Sequence, residues 1–478
     1  MTKDPKNLDR AFNPRTVAVV GDKQQSNYMW LRGVSNFRGK VYSVQIDPRE
    51  IPGIEALGVT NYLSLLDIPE PVDYVVCAVP RAVSPRIVQD CIKKEVGAVH
   101  LFTSGFAETG TEEGIRLQNI ITQMAKEANL NLIGPNCMGI YNPKIGLCVF
   151  GPQPESQQGL VGFISQSGTQ TGAFARAAQQ AGIGVGKAVS YGNAVVLDSS
   201  DYLQYLAEDE DTKVIGMYIE GVKDGRRFFE CLRETAKEKP VIVWKGGQTE
   251  DSARAIASHT ASLAVPGAIW DTVIRQCGAI KAHGVEELVD IVKGLLYVAP
   301  THGARLGLIA VSGGHSVEMA DAFSLTGFRV PALSDESYRQ LSSFFNIIGG
   351  SYRNPLEGGG NMAFEERLVS VLDILDKDQN VDAIVMELGG VGRGQPGSGF
   401  WDRRLEILSS FRKRTGKPFL TTNAIGTPGA GFGEMGEFTN RLMEADIPSF
   451  PSFRRCADAL KKITEYYNFH NGESSPNK

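Results

Sequence analysis

LVGFISQSGTQTGAFARAAQQ, residues 160–180, reads as one unit of structure. The run Leu160–Ile164 is short and apolar, which predicts a buried strand. Ser165-Gln166-Ser167-Gly168-Thr169 follows as a turn made of hydroxyls, an amide and a glycine. The stretch TGAFARAAQQ then reads as a helix. A strand that turns into a helix is half of a βαβ unit and predicts a parallel sheet.

The same alternation runs outward in both directions, three times over. Upstream, strands are expected at Thr16–Val20, Val41–Ile46, Asp73–Val79, Ala98–Phe102 and Leu132–Gly134. The polar stretch GPQPESQQG, residues 151–159, has the composition of a linker. Around the opening segment the strands are Leu160–Ile164, Gly186–Val189, Val214–Ile219 and Val241–Trp244. Past YVAPTHGAR a third series begins, with Leu306–Val311, Asp382–Glu387 and Pro418–Thr421. The expected organisation is therefore a domain at 1–150, a second at 157–299, a third at 303–466 and a disordered tail at 467–478. Each domain is expected to be an open, doubly wound α/β sheet.

Composition narrows the function. At 478 residues the chain holds about three domains. A net charge of −5 with no basic run argues against a nucleic-acid surface. The opening MTKDPKNLDRAFNP lacks the apolar stretch of a signal peptide, and no apolar run reaches membrane-spanning length. Seven scattered cysteines without a CxxC signal neither a disulfide framework nor a metal site, and suit a reducing cytoplasm.

In doubly wound sheets ligands bind beyond the carboxyl ends of the strands, where the strand order reverses. The Ser165–Thr169 turn stands at such an end, and a helix N-terminus with free N–H groups favours an anion such as phosphate. The same residues also suit a plain helix cap. VIGMYI delivers Glu220 to that rim, and VIVWKGG leads into ARAIASHTASLA with its lone His259. An anion cradle, a carboxylate and an imidazole on one rim suit a phosphorylated histidine, with Glu220 fixing the tautomer of the His259 ring. A lone histidine among small residues is otherwise an ordinary surface residue.

The order of motifs NPRTVAVVG, VDYVVCAVP, SGFAETG, IGPNCMGIYNP, SQSGT, YGNA, YIEGVKDGRRF, KPVIVWKGG and SHTASLA resembles the α subunit of the ADP-forming (NDP-forming) acyl-CoA synthetases, relatives of succinyl-CoA synthetase. The resemblance runs from Asn13 to about Ala457. It implies a Rossmann-like CoA-binding domain followed by two flavodoxin-like domains. It implies His259 as the phosphohistidine, Glu220 as its partner, and Ser165, Ser167, Gly168 and Thr169 as phosphate binders. For CoA it implies Gly21, Lys23, Arg49, Val79, Pro80, Ser104, Gly105 and Phe106, with Asn136 and Cys137 near the thiol end. It further implies acyl-CoA and carboxylic acid substrates, and a separate ATP-grasp β subunit carrying ADP or ATP with Mg²⁺, in an assembly such as α2β2. No phosphate-loop motif in this chain replaces that subunit.

Four departures from the family pattern point to a divergent branch with a different acyl group or slower chemistry. Gly21-Asp22-Lys23 stands where the family has Gly-Ala-Ser, placing an aspartate near a pyrophosphate for Lys23 to offset. Val195-Val196-Leu197 delays Asp198 after YGNA, and Ala261 and Pro266 stiffen the histidine loop. Gly313-Gly314-His315-Ser316 replaces a Gly-Gly-Pro-Gly turn, and His315 reads as a turn residue before it reads as a second phosphoryl carrier. The competing functional readings are a CoA-binding regulatory or scaffold protein and, more distantly, a Rossmann oxidoreductase, which the missing GxGxxG disfavours.

Overall fold

The computed structural model describes residues 8–153, 159–252, 267–300, 303–389, 399–423 and 432–472. His259, Ala261 and Pro266 lie outside the described residues, as do residues 154–158 of the linker and 473–478 of the tail. The chain divides into two compact units, 1–288 and 289–478.

The first sheet contains β1 (Thr16–Val20), β2 (Lys40–Val44), β3 (Thr60–Tyr62), β4 (Tyr74–Cys77), β5 (Ala98–Leu101) and β6 (Asn131–Ile133). Its order, β3-β2-β1-β4-β5-β6 and all parallel, is that of a Rossmann-like sheet with its switch point between β1 and β4. Successive residues of β1 serve opposite faces. Val17 and Val19 join one apolar cluster while Ala18 and Val20 join another, so the sheet is covered on both sides.

The second sheet contains β7 (Gly139–Tyr141), β8 (Gly159–Ser165), β9 (Gly184–Ser190), β10 (Val214–Ile219), β11 (Val241–Lys245) and β12 (Ile280–Ala282), in the order β12-β11-β10-β8-β9-β7. The five strands from β8 onward have the flavodoxin-like order, and the switch point lies between β8 and β10. β7 is antiparallel to β9. The expected boundary at residue 150 therefore does not coincide with the partition of strands: the last stretch of the first domain supplies an edge to the second sheet.

Within the second unit, β13 (Leu306–Ala310), β14 (Leu356–Glu357), β15 (Ala383–Leu388), β16 (Phe419–Asn423) and β17 (Ser449–Phe450) form an all-parallel sheet ordered β14-β13-β15-β16-β17, again flavodoxin-like. Ile309, Ile384 and Met386 pack against Leu368, Leu408 and Phe411 on one face. Leu308 and Val385 pack against Met319, Phe323 and Leu460 on the other. Two expectations are corrected here. Residues 467–470, expected in a disordered tail, are the last turn of the helix Phe453–His470, where the Tyr466 and His470 rings lie 4.4 Å apart between centroids, tilted by 50°. Gly313–Ser316, expected as a turn, opens the helix Gly313–Leu325.

Candidate active site

The switch point of the second sheet gathers most of the expected phosphate site. β8 ends at Ser165, and Ser167 caps the helix Gly168–Gln180, its hydroxyl accepting the Gln170 N–H at 3.3 Å. Ser165 plays a different part from the one expected. Its hydroxyl is fully buried, donates to the Ser167 carbonyl at 2.8 Å and accepts the Ser167 N–H at 3.1 Å, so it shapes the turn and offers nothing to a ligand. Thr169 is exposed at the helix start. Gly168 has no room for a side chain, because a Cβ there would stand 2.4 Å from Met138 Cγ.

Gln166, given no role from the sequence, fixes the carboxylate. Its side-chain oxygen accepts the N–H of Glu220 and that of Gly221, the latter at 2.8 Å. The end of β10 is thereby tied to the turn that follows β8. Glu220 is 7% exposed; Oε1 accepts the Tyr218 hydroxyl at 3.2 Å, while Oε2 is buried without a partner among the described residues. Burial, with the Glu220 charge beside it, raises the Tyr218 phenol and keeps it a donor. Lys245, at the end of β11, is lowered by burial, an effect that the charge of Glu220 opposes. A buried carboxylate oxygen without a donor is a costly arrangement that a further N–H would relieve.

Beside this turn lies a cavity of about 460 Å³ whose walls include Asn136, Cys137, Ser167, Gly168 and Thr169, along with Phe102, Met138, Phe150 and Arg176. Two groups of residues far apart in the chain, one from each of the first two domains, thus line one space. The YGNA loop makes this possible. Asn193 N–H donates to the Pro135 carbonyl at 3.0 Å and Val195 N–H to that of Gly134 at 3.2 Å. Gly192, at φ +51°, lies so close that a Cβ would fall 2.3 Å from both the Pro135 and Asn136 carbonyl oxygens. Glu108 of SGFAETG completes the clamp, accepting the Gly105 and Phe106 N–H groups on one oxygen and the Asn193 amide on the other.

The remaining CoA candidates stand at the carboxyl ends of the first sheet's strands, with varied roles. Gly21, at φ +84°, is required by packing, since a Cβ would press within 2.7 Å of Val79 Cγ1. Lys23, Pro80 and Ser104 are exposed on this rim. Arg49 folds back on Asp47 at 2.6 Å, and its guanidinium pulls the Asp47 carboxyl down to about 2. Phe106 is completely buried in the core and cannot line a path for the pantetheine arm. Cys137 is buried as well, and burial pushes its thiol up to about 12. The aspartate expected to oppose a pyrophosphate turns inward. Asp22 is 2% exposed and accepts from Trp30, Leu31 and Lys23 N–H and from Ser26 Oγ, all near 3 Å. Nothing is left for Lys23 to offset. Among the described residues no group of three His, Cys, Asp or Glu side chains could hold a metal, and no helix is long and apolar enough to cross a membrane.

Comparison with known proteins places the chain in a family. Residues 15–143 match the CoA binding domain family and residues 158–295 the succinyl-CoA ligase like flavodoxin domain. The chain is 36% identical over 381 residues to acetate–CoA ligase (ADP-forming) I of Archaeoglobus fulgidus, a match covering 79% of this chain and 54% of that protein. It spans about half the length of that relative. It is 33% identical over 383 residues to acetate–CoA ligase (ADP-forming) II subunit alpha of Pyrococcus furiosus, covering 79% of this chain and 81% of that one. Among solved structures, an acetyl-coenzyme A synthetase 1 from Ca. Korarchaeum cryptofilum, in complex with phosphate and ADP, matches with a TM-score of 0.82 at 28% identity over 98% of each chain. This chain belongs to the ADP-forming acyl-CoA synthetase family, within the succinyl-CoA synthetase superfamily.

Proposed function

We propose that this chain is the CoA-ligating and phosphohistidine half of an ADP-forming acyl-CoA synthetase. The observation that carries the reading is the shared cavity. One wall is the Asn136–Cys137 turn, the other is a capped helix N-terminus, and beside the latter stands a buried carboxylate with one oxygen unpartnered among the described residues. The polar wall suits phosphate, whose charge the N–H groups of the first helical turn offset. The apolar wall of Phe102, Met138 and Phe150 suits a thioester arm and its acyl group.

A phosphate oxygen held at Ser167–Thr169 attacks the thioester carbonyl of acyl-CoA, giving acyl phosphate and free CoA. The His259 ring then takes the phosphoryl group as the carboxylic acid leaves. Glu220 Oε2 accepts the N–H of the other ring nitrogen and so directs the lone pair outward. A partner chain with an ATP-grasp domain, carrying ADP with Mg²⁺, receives the phosphoryl group and makes ATP, in an assembly such as α2β2. The reverse direction makes acyl-CoA. None of the seven cysteines is in a disulfide, which supports work in a reducing cytoplasm. Glu220 favours this reading over a non-catalytic CoA-binding scaffold, which has no use for a buried, half-satisfied carboxylate.

The test is labelling with radioactive phosphate and a panel of short, branched and aromatic acyl-CoAs. An acid-labile, base-stable label should appear on the peptide holding His259, weaken in Glu220→Gln and vanish in His259→Asn. A protein that binds CoA yet stays unlabelled across the panel overturns the proposal.

A further inference from the structure

The third sheet repeats the plan of the second. Its switch point lies between β13 and β15. Past β13 the chain turns through Ser312, whose hydroxyl accepts the His315 N–H at 3.4 Å and caps the helix Gly313–Leu325. Ser167 does the same for Gln170 after β8. Across each switch point stands a carboxylate, Glu220 just beyond β10 and Glu387 near the end of β15.

In the third sheet an imidazole already faces that carboxylate. His315 Nδ1 lies 2.8 Å from Glu387 Oε1, and Glu387 Oε2 accepts the Val311 N–H at 2.7 Å. The Glu387 side chain is wholly covered, whereas that of His315 is 29% exposed. The Phe453 ring stands edge-on to the imidazole, 6.1 Å between centroids. A buried carboxylate against Nδ1 holds the ring proton there and leaves the lone pair on Nε2. Among the described residues Nε2 has no hydrogen-bond partner. At neighbouring Gly314 a Cβ would meet nothing within 4 Å among the described residues. An oriented, partly exposed imidazole whose Nε2 has no partner among the described residues is the arrangement of a nucleophile or general base, beyond what holding the helix in place requires.

We propose that His315 is a second phosphoryl acceptor, positioned by Glu387, with an acyl phosphate as the donor. The donor class is taken from the reading above, and the inference rests on it to that extent. The Nε2 lone pair forms the nitrogen–phosphorus bond as the phosphorus–oxygen bond to the acyl group breaks. The carboxylate leaves with that electron pair, and the Nδ1 proton remains against Glu387. Two further acidic groups bear on the reaction. The Glu357 carboxylate oxygens lie 3.3 Å from where a Cβ of Gly313 would stand, beside the helix N-terminus. The Glu318 charge bears on Glu387, favouring its protonated form. Both repel an incoming dianion, so their charge restrains the yield.

Acetyl phosphate carrying ³²P is the probe, used on the full chain with digestion and peptide mapping at neutral pH. Acid-labile label is expected on the His315 peptide, separate from that on the His259 peptide, and His315→Gln removes only the former. Glu387→Gln slows labelling of His315 on the order of a hundredfold, and imidazole ¹⁵N shifts report loss of the Nδ1–H tautomer. Glu357→Gln raises the yield, a gain that a merely structural role for these residues would not produce. Label on His259 with none on His315 overturns this inference and leaves the proposed function standing. Label on His315 alone supports this inference and label on neither overturns it, while the proposed function is decided by the acyl-CoA panel above.

Discussion

Replacing Gly192 with alanine tests the clamp that brings the first two domains to one cavity. The new methyl group would start 2.3 Å from two backbone carbonyl oxygens, and neither can swing away as a side chain would. To reach even the shortest tolerable separation the YGNA loop must retreat by about 0.7 Å. Hydrogen bonds of 3.0 Å from Asn193 and 3.2 Å from Val195 then stretch past useful length. Losing the pair costs about 2 kcal/mol, and holding alanine at positive φ about 1 kcal/mol more. The sum of about 3 kcal/mol corresponds to roughly 6 °C in Tm for a unit of this size. Equilibrium urea unfolding followed by far-ultraviolet circular dichroism measures it, and labelling of His259 should weaken together with stability. A Gly192→Ala protein within about 0.5 kcal/mol of the parent, with labelling intact, would show that the loop is not held as described.

Asp22→Ala strips four donors of their shared acceptor and should cost about 3 kcal/mol by urea unfolding; a loss below about 1 kcal/mol would refute the inward role of this side chain. His100 is fully buried, and burial lowers its imidazole from 6.5 to about 4. Between those values the unfolded chain binds a proton that the folded chain refuses. Stability should therefore fall as pH drops from 6.5 to about 4, by about 3 kcal/mol in all. His100→Gln, which keeps a donor for the Cys137 carbonyl, should flatten that part of the profile; an unchanged slope refutes the assignment.

The central strands such as β1 and β10 were legible because they are buried on both faces, and burial writes itself as apolar runs such as TVAVV and VIGMYI. The five strands that escaped notice, β3, β7, β12, β14 and β17, all sit on sheet edges and are two or three residues long. Half-paired and short, they lack the repeat that a periodicity can detect. At the site, residue types were legible while directions were not. Ser165 and Asp22 stand where the motifs put them, yet both point inward to satisfy backbone groups, a choice made by packing. Gln166 and Glu108 were missed for the opposite reason. Each acts on strands and loops remote in sequence, and an amide or carboxylate in a turn looks the same whether it binds a neighbour or faces water. His315 was read from the glycines around it, and only the register of β15 against β13 brings Glu387 to its ring.

The antiparallel β7 has a bearing on how proteins of this kind can exchange parts. The stretch around residues 151–159 has the composition of a seam at which recombination would swap a whole nucleotide-fold cassette. A cut there would carry Gly139–Tyr141 away with the first cassette and strip β9 of its neighbour, baring a row of unpaired N–H and carbonyl groups. It would also part the 134–136 turn from the loop that grips it. Exchange that preserves solubility has to take both cassettes together, so the two are expected to be inherited as one piece.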